Sequence, residues 1–266
     1  MLGSGPSAAR MSRTGHRFGT GTEAITSNGC SIIPREPDKL DAMAGTIGVA
    51  AERAAYQASL FDAAPGPDEP QHARLGQLGA TVERTVLGDG AWIDLRPGWL
   101  DGSDDLFVQL RDTVNWQAER RRMYDRVVAV PRLLRFYGAD EQLPAPELAD
   151  ARDALSAFYA AELGEPFVTA GLCLYRDGRD SVAWHGDRFG RGAVSDTMVA
   201  IVSLGAARRL SLRPQGGGRS RSVPLGHGDL VVMGGSCQRT WEHAIPKTTR
   251  PVGPRISVQF RPRGVR

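Results

Sequence analysis

Beyond Phe167 the chain breaks into eight short apolar runs separated by Gly, Asp and Pro. They are Gly171 to Tyr175, Ser181 to His185, Met198 to Leu204, Arg209 to Arg213, Ser222 to Leu225, Leu230 to Met233, Thr240 to Ile245 and Ile256 to Arg261. Runs this short cannot make long helices, and eight strands at this spacing predict a double-sheet jelly roll. The last run constrains most: Arg255, Ser257, Gln259 and Arg261 alternate with Ile256, Val258 and Phe260. Successive side chains of a strand point to opposite faces, so one face is wholly apolar and the other wholly polar with an arginine at each end. Between turns, the polar face should look into the barrel, where a buried guanidinium needs an anionic partner. A bound dicarboxylate would supply one.

Upstream, the texture is mixed, which makes the fold class α+β. Trp92 to Leu95 alternates like a strand and stops at Arg96-Pro97-Gly98, a turn signal. Order is expected from near Val82. Ser103 is expected to cap a helix whose first turn holds Asp104 and Asp105 and whose apolar face is Leu106, Leu110 and Val114. The run Trp116 to Arg126 carries Arg120, Arg121, Arg122 and Arg126, read either as a solvated helix end or as a set of phosphate contacts. Val127 to Val130 reads as a strand. In the segment after it, Arg132, Arg135, Phe136 and Tyr137 combine guanidinium groups with stacking rings, although two aromatics are also ordinary core. Glu147 to Leu163 has helical spacing, ends at Gly164, and should back a sheet.

Residues 1–70 are expected to be a disordered tail, rich in Gly, Ser, Thr and Arg without periodicity to about Lys39, then a short alanine-rich segment of helical propensity at Ala50 to Leu60 and a Pro/Gly-rich linker at Ala63 to Pro70, leaving 71–266 as one domain. No run approaches the length needed to cross a membrane, and no signal peptide is recognisable. The three cysteines, Cys30, Cys173 and Cys237, are too few and scattered for a disulfide framework. A cytoplasmic location is expected, on the nucleoid if the source is bacterial. The net charge of +3 and the basic pI of about 9.0 permit a polyanionic partner without requiring one.

Three residues assemble a metal site. His185 and Asp187 lie two apart, on one face of an extended segment, and His243 follows on a later strand. Two imidazoles and one carboxylate on three corners of a metal leave the other corners open, the arrangement non-haem Fe(II) uses to take a co-substrate and dioxygen. His-x-Asp is weak by itself, and the chain has a second copy, His227-Gly228-Asp229. Lying between Gly226 and an apolar run, that copy reads as a tight turn.

The pattern Tyr175-x-Asp177-Gly178, His185-x-Asp187, His243 and Arg255-Ile256-Ser257-Val258-Gln259-Phe260-Arg261 resembles the AlkB family of Fe(II)/2-oxoglutarate-dependent nucleic-acid dealkylases. The resemblance runs from about Phe167 to the C-terminus, and more faintly through Pro131-Arg132 and Tyr137-Gly138. It implies a jelly-roll core over about 167–266 and a nucleotide-recognition lid over about 82–140. Iron would sit on His185, Asp187 and His243, and 2-oxoglutarate on Tyr175, Arg255, Arg261 and Ser257. Arg120, Arg122, Arg132, Phe136, Tyr137, Trp184 and Phe189 would hold the substrate, with a wedge residue among Leu133 to Phe136. The implied reaction uses O2 to dealkylate N-alkylated bases in DNA, releasing aldehyde, succinate and CO2. The family often has Asn where Cys173 and Ser257 stand and an acidic residue where Phe189 stands, so amide contacts to the co-substrate are reduced and lesion preference does not transfer. An oxygenase acting on RNA, protein or a small molecule, and a non-catalytic clamp- or nucleic-acid-binding protein on an oxygenase frame, are the alternative readings. In the tail, Gln57, Leu60 and Phe61 resemble the short peptide that bacterial replication and repair proteins insert into the sliding clamp, two apolar anchors oriented by an amide.

Overall fold

The computed structural model describes residues 72–123, 126–187 and 190–265, and for residues 121–123 and 126–128 the backbone only. The tail and its clamp-like peptide lie outside these residues, as does Phe189.

The elements in order are β1 (Arg74–Leu75), β2 (Glu83–Gly88), β3 (Ala91–Arg96), β4 (Leu100–Asp101), α1 (Asp104–Thr113), β5 (Gln117–Met123), β6 (Arg126–Tyr137), α2 (Pro146–Phe158) and α3 (Ala160–Leu163). Then follow β7 (Thr169–Tyr175), β8 (Val182–His185), a 3-10 turn at Arg191–Ala193, β9 (Val199–Gly205), β10 (Arg208–Pro214), β11 (Arg221–Leu225), β12 (Asp229–Gly235), α4 (Cys237–Thr240), β13 (Trp241–Ile245) and β14 (Arg255–Arg261). All eight expected strands after Phe167 form. They divide between a large antiparallel sheet, β2-β3-β12-β9-β14-β7-β6-β5, and a small one, β11-β10-β13-β8. This is the architecture of a jelly roll, with its large sheet extended at both edges.

Period-2 alternation separates two cores. On one face of the large sheet Ala170, Leu172 and Leu174 of β7, Ala200, Val202 and Leu204 of β9, and Ile256, Val258 and Phe260 of β14 pack with Leu106 and Leu110 of α1 and with Leu148 and Leu155 of α2. On the other, Tyr175, Ile201, Val231 and Met233 meet Leu210, Leu212, Trp241 and Ile245 of the small sheet. Full burial of a side chain such as Val258 or Phe260 stabilises by about 1.5–3 kcal/mol. That sum holds the polar face of β14 against the space between the sheets.

Three local expectations are corrected. Ser103 precedes α1 but does not cap it with its side chain. Its hydroxyl donates to the Leu100 carbonyl at 3.0 Å and meets His227 instead. The arginine run is not a helix end: β5 and β6 form an antiparallel hairpin with Arg120 opposite Ala129, and β6 continues through Pro131 to Tyr137. Gln-Ala-Glu-Arg is helix-favouring composition, and pairing along the edge of a ready-made sheet outweighs a propensity of a few tenths of a kcal/mol per residue. The long helix breaks at Tyr159 into α2 and α3, whose end is Gly164 in the left-handed region at φ 73°. At the break the Tyr159 hydroxyl donates to the buried Asp94 carboxylate at 2.9 Å, while its backbone N–H still bonds to the Leu155 carbonyl.

Candidate metal centre

The pairing of β8 with β13 sets His185 directly opposite His243, ring centres 4.2 Å apart. Asp187 follows two residues past the end of that pairing segment, and one ligand atom from each of the three lies within 4.8 Å of the others. Among the described residues this is the one group of three or more such side chains so placed. The His185 Nδ1–H donates to the Ala183 carbonyl at 2.9 Å, which leaves the Nε2 lone pair free to bind a metal. Burial holds the His185 imidazole below its ordinary range. Burial, and then the neighbouring His185, push His243 down to about 3, so both rings are neutral at pH 7, the state a metal requires. Asp187 goes the other way. Burial would raise its carboxyl, but Arg261 and the two imidazoles outweigh that and hold it at about 2.

The Asp187 backbone is fixed as well. Its N–H donates to Gln238 Oε1 of α4 at 3.0 Å, and a side chain at Gly192 would overlap its carbonyl. Two nitrogen lone pairs and one charged oxygen, converging from one side, fit Fe(II) and leave the remaining positions to other ligands.

Behind the triad lies the polar face of β14. Arg255 is 1% exposed, stands opposite Tyr175 in the β14–β7 register, and has its guanidinium 5.3 Å from that ring. Its Nε donates to Ser203 Oγ at 2.9 Å, while Nη1 is buried without a partner. An unpaired buried guanidinium N–H is costly, and burial lowers the Arg255 pKa. Such a group suits an anionic partner. Burial pushes Tyr175 up to about 12, so it keeps its proton and can donate to the same anion. Arg261 is already engaged: Nε meets Asp187 Oδ2 at 2.7 Å and Nη2 donates to Gln259 Oε1 at 2.7 Å. Gln259 Nε2 in turn donates to Ser257 Oγ at 3.1 Å and to Cys173 Sγ at 3.3 Å.

The residues expected at the substrate divide. Leu134 pairs with Cys173 and packs between the sheets, so Arg132 and Phe136, two residues to either side, share that face of β6. Phe136 is 44% exposed there, free to stack. Tyr137 is on the opposite face, 6% exposed in the helix-side core under Arg135, and cannot meet a base. Leu133 packs against the same core, leaving Phe136 as the exposed wedge candidate. Trp184 also turns away. Its ring lies 4.3 Å from the Arg213 guanidinium, whose partner Glu242 is on the face of β13 opposite His243. Arg120 is exposed on β5, and the Arg122 side chain lies outside the description. Sequence reasoning missed Ser203, Gln238 and Arg208, the last donating to the carbonyls of Asp177, Asp180 and Pro246. None had a local signal. Gln259 did, as a member of the polar face.

A neutral two-histidine, one-carboxylate centre between the sheets of a jelly roll, backed by a buried arginine awaiting an anion, defines a non-haem iron oxygenase domain. Residues 110–261 match the model of the 2OG-Fe(II) oxygenase superfamily, and the chain belongs to that superfamily. It is 31% identical over 188 residues to the "Alpha-ketoglutarate-dependent dioxygenase alkB homolog 3" of Bos taurus, covering 63% of this chain and 64% of that protein. It is 27% identical over 183 residues to the "DNA oxidative demethylase ALKBH2" of Homo sapiens, covering 60% of this chain and 68% of that one. A solved structure, "The structure of OsALKBH1", superposes with a TM-score of 0.47 at 16% identity, covering 66% of this chain and all of that one. The chain thus spans a little under two thirds of the length of the first of these relatives. Fe(II), 2-oxoglutarate and O2 are the cofactor set of a domain with this triad.

Proposed function

We propose that this chain oxidatively dealkylates N-alkylated bases in nucleic acid, DNA foremost, as a member of the AlkB family. The observation that carries the substrate is the β5–β6 hairpin. It adds two strands to the large sheet beside β7, so that Phe136 stands exposed on the face that holds Tyr175, with exposed Arg120 on the neighbouring strand. Stacking rings beside cationic side chains suit an extruded base and its phosphates. The names of the two relatives, a dioxygenase of the alkB type and a DNA oxidative demethylase, support the same reading.

His185, Asp187 and His243 would hold the iron. Arg255, through Nη1, would take the distal carboxylate of 2-oxoglutarate with Tyr175 beside it, and Ser257 would line the same floor. Arg261 keeps Asp187 ionised and aimed. Together with O2, bound iron and 2-oxoglutarate would supply oxidation of an N-alkyl carbon, the 2-oxoglutarate leaving as succinate and CO2, and the hydroxylated carbon would then leave the base as an aldehyde. No proton needs to be moved at the base by this chain. Phe136 stacks the target and Arg120 steers its backbone; Arg122 and Phe189, whose side chains lie outside the description, are proposed as substrate residues from the family resemblance alone. The Gln57, Leu60 and Phe61 peptide would tether the enzyme to the sliding clamp, in the cytoplasm; displacement of a known clamp peptide tests that. Among the described residues no helix is long and apolar enough to cross a membrane.

The decisive experiment follows succinate and formaldehyde from iron-loaded protein and 2-oxoglutarate, with and without a methylated oligonucleotide, beside His185→Ala and Arg255→Ala. Oligonucleotide-dependent formaldehyde, absent in both variants, is the expected result. Succinate without formaldehyde would move the substrate to RNA, protein or a metabolite, and neither product would return the chain to a binding role.

A further inference from the structure

The geometry points to Arg132 as a residue of the co-substrate pocket rather than of the nucleic-acid surface: it is a second guanidinium, beside Arg255, that orients bound 2-oxoglutarate. This rests on the reading of the polar β14 floor as the 2-oxoglutarate site.

Donors on that floor are scarce. Gln259 spends its amide N–H groups on Ser257 Oγ and Cys173 Sγ, and its oxygen on Arg261. Arg261 is committed to Asp187 and Gln259. Ser257, opposite Cys173 in the β14–β7 register, acts as an acceptor. Neither Cys173 nor Ser257 offers an amide to a carboxylate. Tyr175, the Arg255 Nη1, the Ser257 hydroxyl proton and the Arg261 Nη1 remain, fewer donors than the oxygens of a dicarboxylate can accept.

Arg132 fills the gap. Its strand flanks β7, with Leu133 and Leu134 opposite Leu174 and Cys173, and it shares the inward face with Leu134. The side chain runs inward rather than out to solvent: Nη1 donates to the Ser181 carbonyl at 3.2 Å, beside the strand that ends in His185, and the Ser181 N–H returns a bond to the Pro131 carbonyl at 2.8 Å. Nε is buried and has no partner. Two guanidinium N–H groups, Arg132 Nε and Arg255 Nη1, are therefore buried unsatisfied around one tyrosine. Buried N–H groups of that kind are rare in folded proteins unless a ligand completes them. Glu119 acts on Arg132 through its charge, yet neither Arg132 Nε nor Arg255 Nη1 reaches an acceptor, so a completing partner that carries negative charge suits both.

The test is calorimetric titration of 2-oxoglutarate into the Mn(II)-loaded full chain, which reads binding without turnover, alongside fluorescence titration of a labelled oligonucleotide. Arg132→Ala should weaken 2-oxoglutarate by on the order of tenfold or more, the cost of a charge-assisted hydrogen bond, and leave oligonucleotide affinity unchanged. Arg132→Lys keeps the charge without the Nε–H and should fall between. Adding Cys173→Asn to Arg132→Ala restores an amide donor to the floor and should recover most of the lost affinity, a rescue that a merely structural arginine would not show. Unchanged 2-oxoglutarate binding with weakened oligonucleotide binding in Arg132→Ala would overturn the assignment and return Arg132 to the nucleic-acid side. Failure of the unmutated protein to bind 2-oxoglutarate would instead overturn the co-substrate reading itself, and the Arg132 assignment with it.

Discussion

The chain writes His-Gly-Asp twice, and the two copies do opposite things with the same atoms. At His227-Gly228-Asp229 both ring nitrogens and both carboxylate oxygens are engaged. The Gly205 N–H donates to His227 Nδ1 at 2.7 Å, and the ring's Nε2–H meets Ser103 Oγ at 2.8 Å. Asp229 accepts from the Gly226 and Gly98 N–H groups at 2.6 and 2.8 Å, and Gly228 turns the chain at φ 76° against the Leu100 carbonyl. At His185-Gly186-Asp187 the tautomer is reversed: Nδ1 carries the proton, so Nε2 is left as a bare lone pair. Asp187 gives one oxygen to Arg261 and keeps Oδ1 3.9 Å from His185 Nε2, a separation a shared ion can bridge. A saturated motif is a clasp, whereas an unsaturated one is a site.

The widest separation between the copies should appear in metal affinity. His185→Ala or Asp187→Asn should cost more than about 100-fold in Mn(II) or Fe(II) binding, since losing even an outer partner of a ligand can cost that much. His227→Ala and Asp229→Ala should leave metal titrations unchanged. A shifted metal isotherm in either would collapse the distinction.

Stability comes next. Asp187→Asn strips the charge from the partner of a mostly buried guanidinium and should destabilise the metal-free protein by about 3 kcal/mol in urea denaturation. Asp229→Ala leaves two backbone N–H groups without acceptors and should cost about 2 kcal/mol, with no change in metal binding. His227→Ala should cost about 1 kcal/mol through the Gly205 N–H, again with the metal site intact.

The finest discrimination is by pH. The folded state holds His243 at about 3, below the ordinary imidazole value near 6.5, so between those values the unfolded chain binds the extra proton. Stability of the metal-free protein should therefore fall as pH drops from about 6.5 toward 3, and His243→Gln should flatten that slope. An equally steep slope in the variant would place the proton uptake elsewhere.

Much of this was legible before any coordinates. The eight strands after Phe167 followed from punctuation by Gly, Asp and Pro, and the two faces of β14 from strict alternation, because a strand's side chains must alternate whatever its neighbours are. The turn reading of His227-Gly228-Asp229 was legible too, from its flanking glycine and the apolar run behind it. Other features were not. The arginine run looked helical because its composition is, and only the exposed edge of β7 turned β6 and β5 into strands. Tyr137 and Trp184 looked like site residues, and the parity of β6 and β8 sent each to the wrong face. Arg132 looked like a surface cation because nothing near it in the chain says where its guanidinium ends.

The sequence by itself determined the ligand types, the strand count and the polar stripe, since these depend on residue identity and on the two-residue period of extended backbone. Tertiary structure alone decided that both ring nitrogens of His227 are taken and which arginine is left without a partner. Those choices are made by groups far along the chain: Gly205 and Ser103 for His227, Asp187 for Arg261, Ser203 for Arg255. Hydrogen-bond satisfaction is a property of the folded neighbourhood, and reactivity here resides in the groups that the neighbourhood leaves unsatisfied.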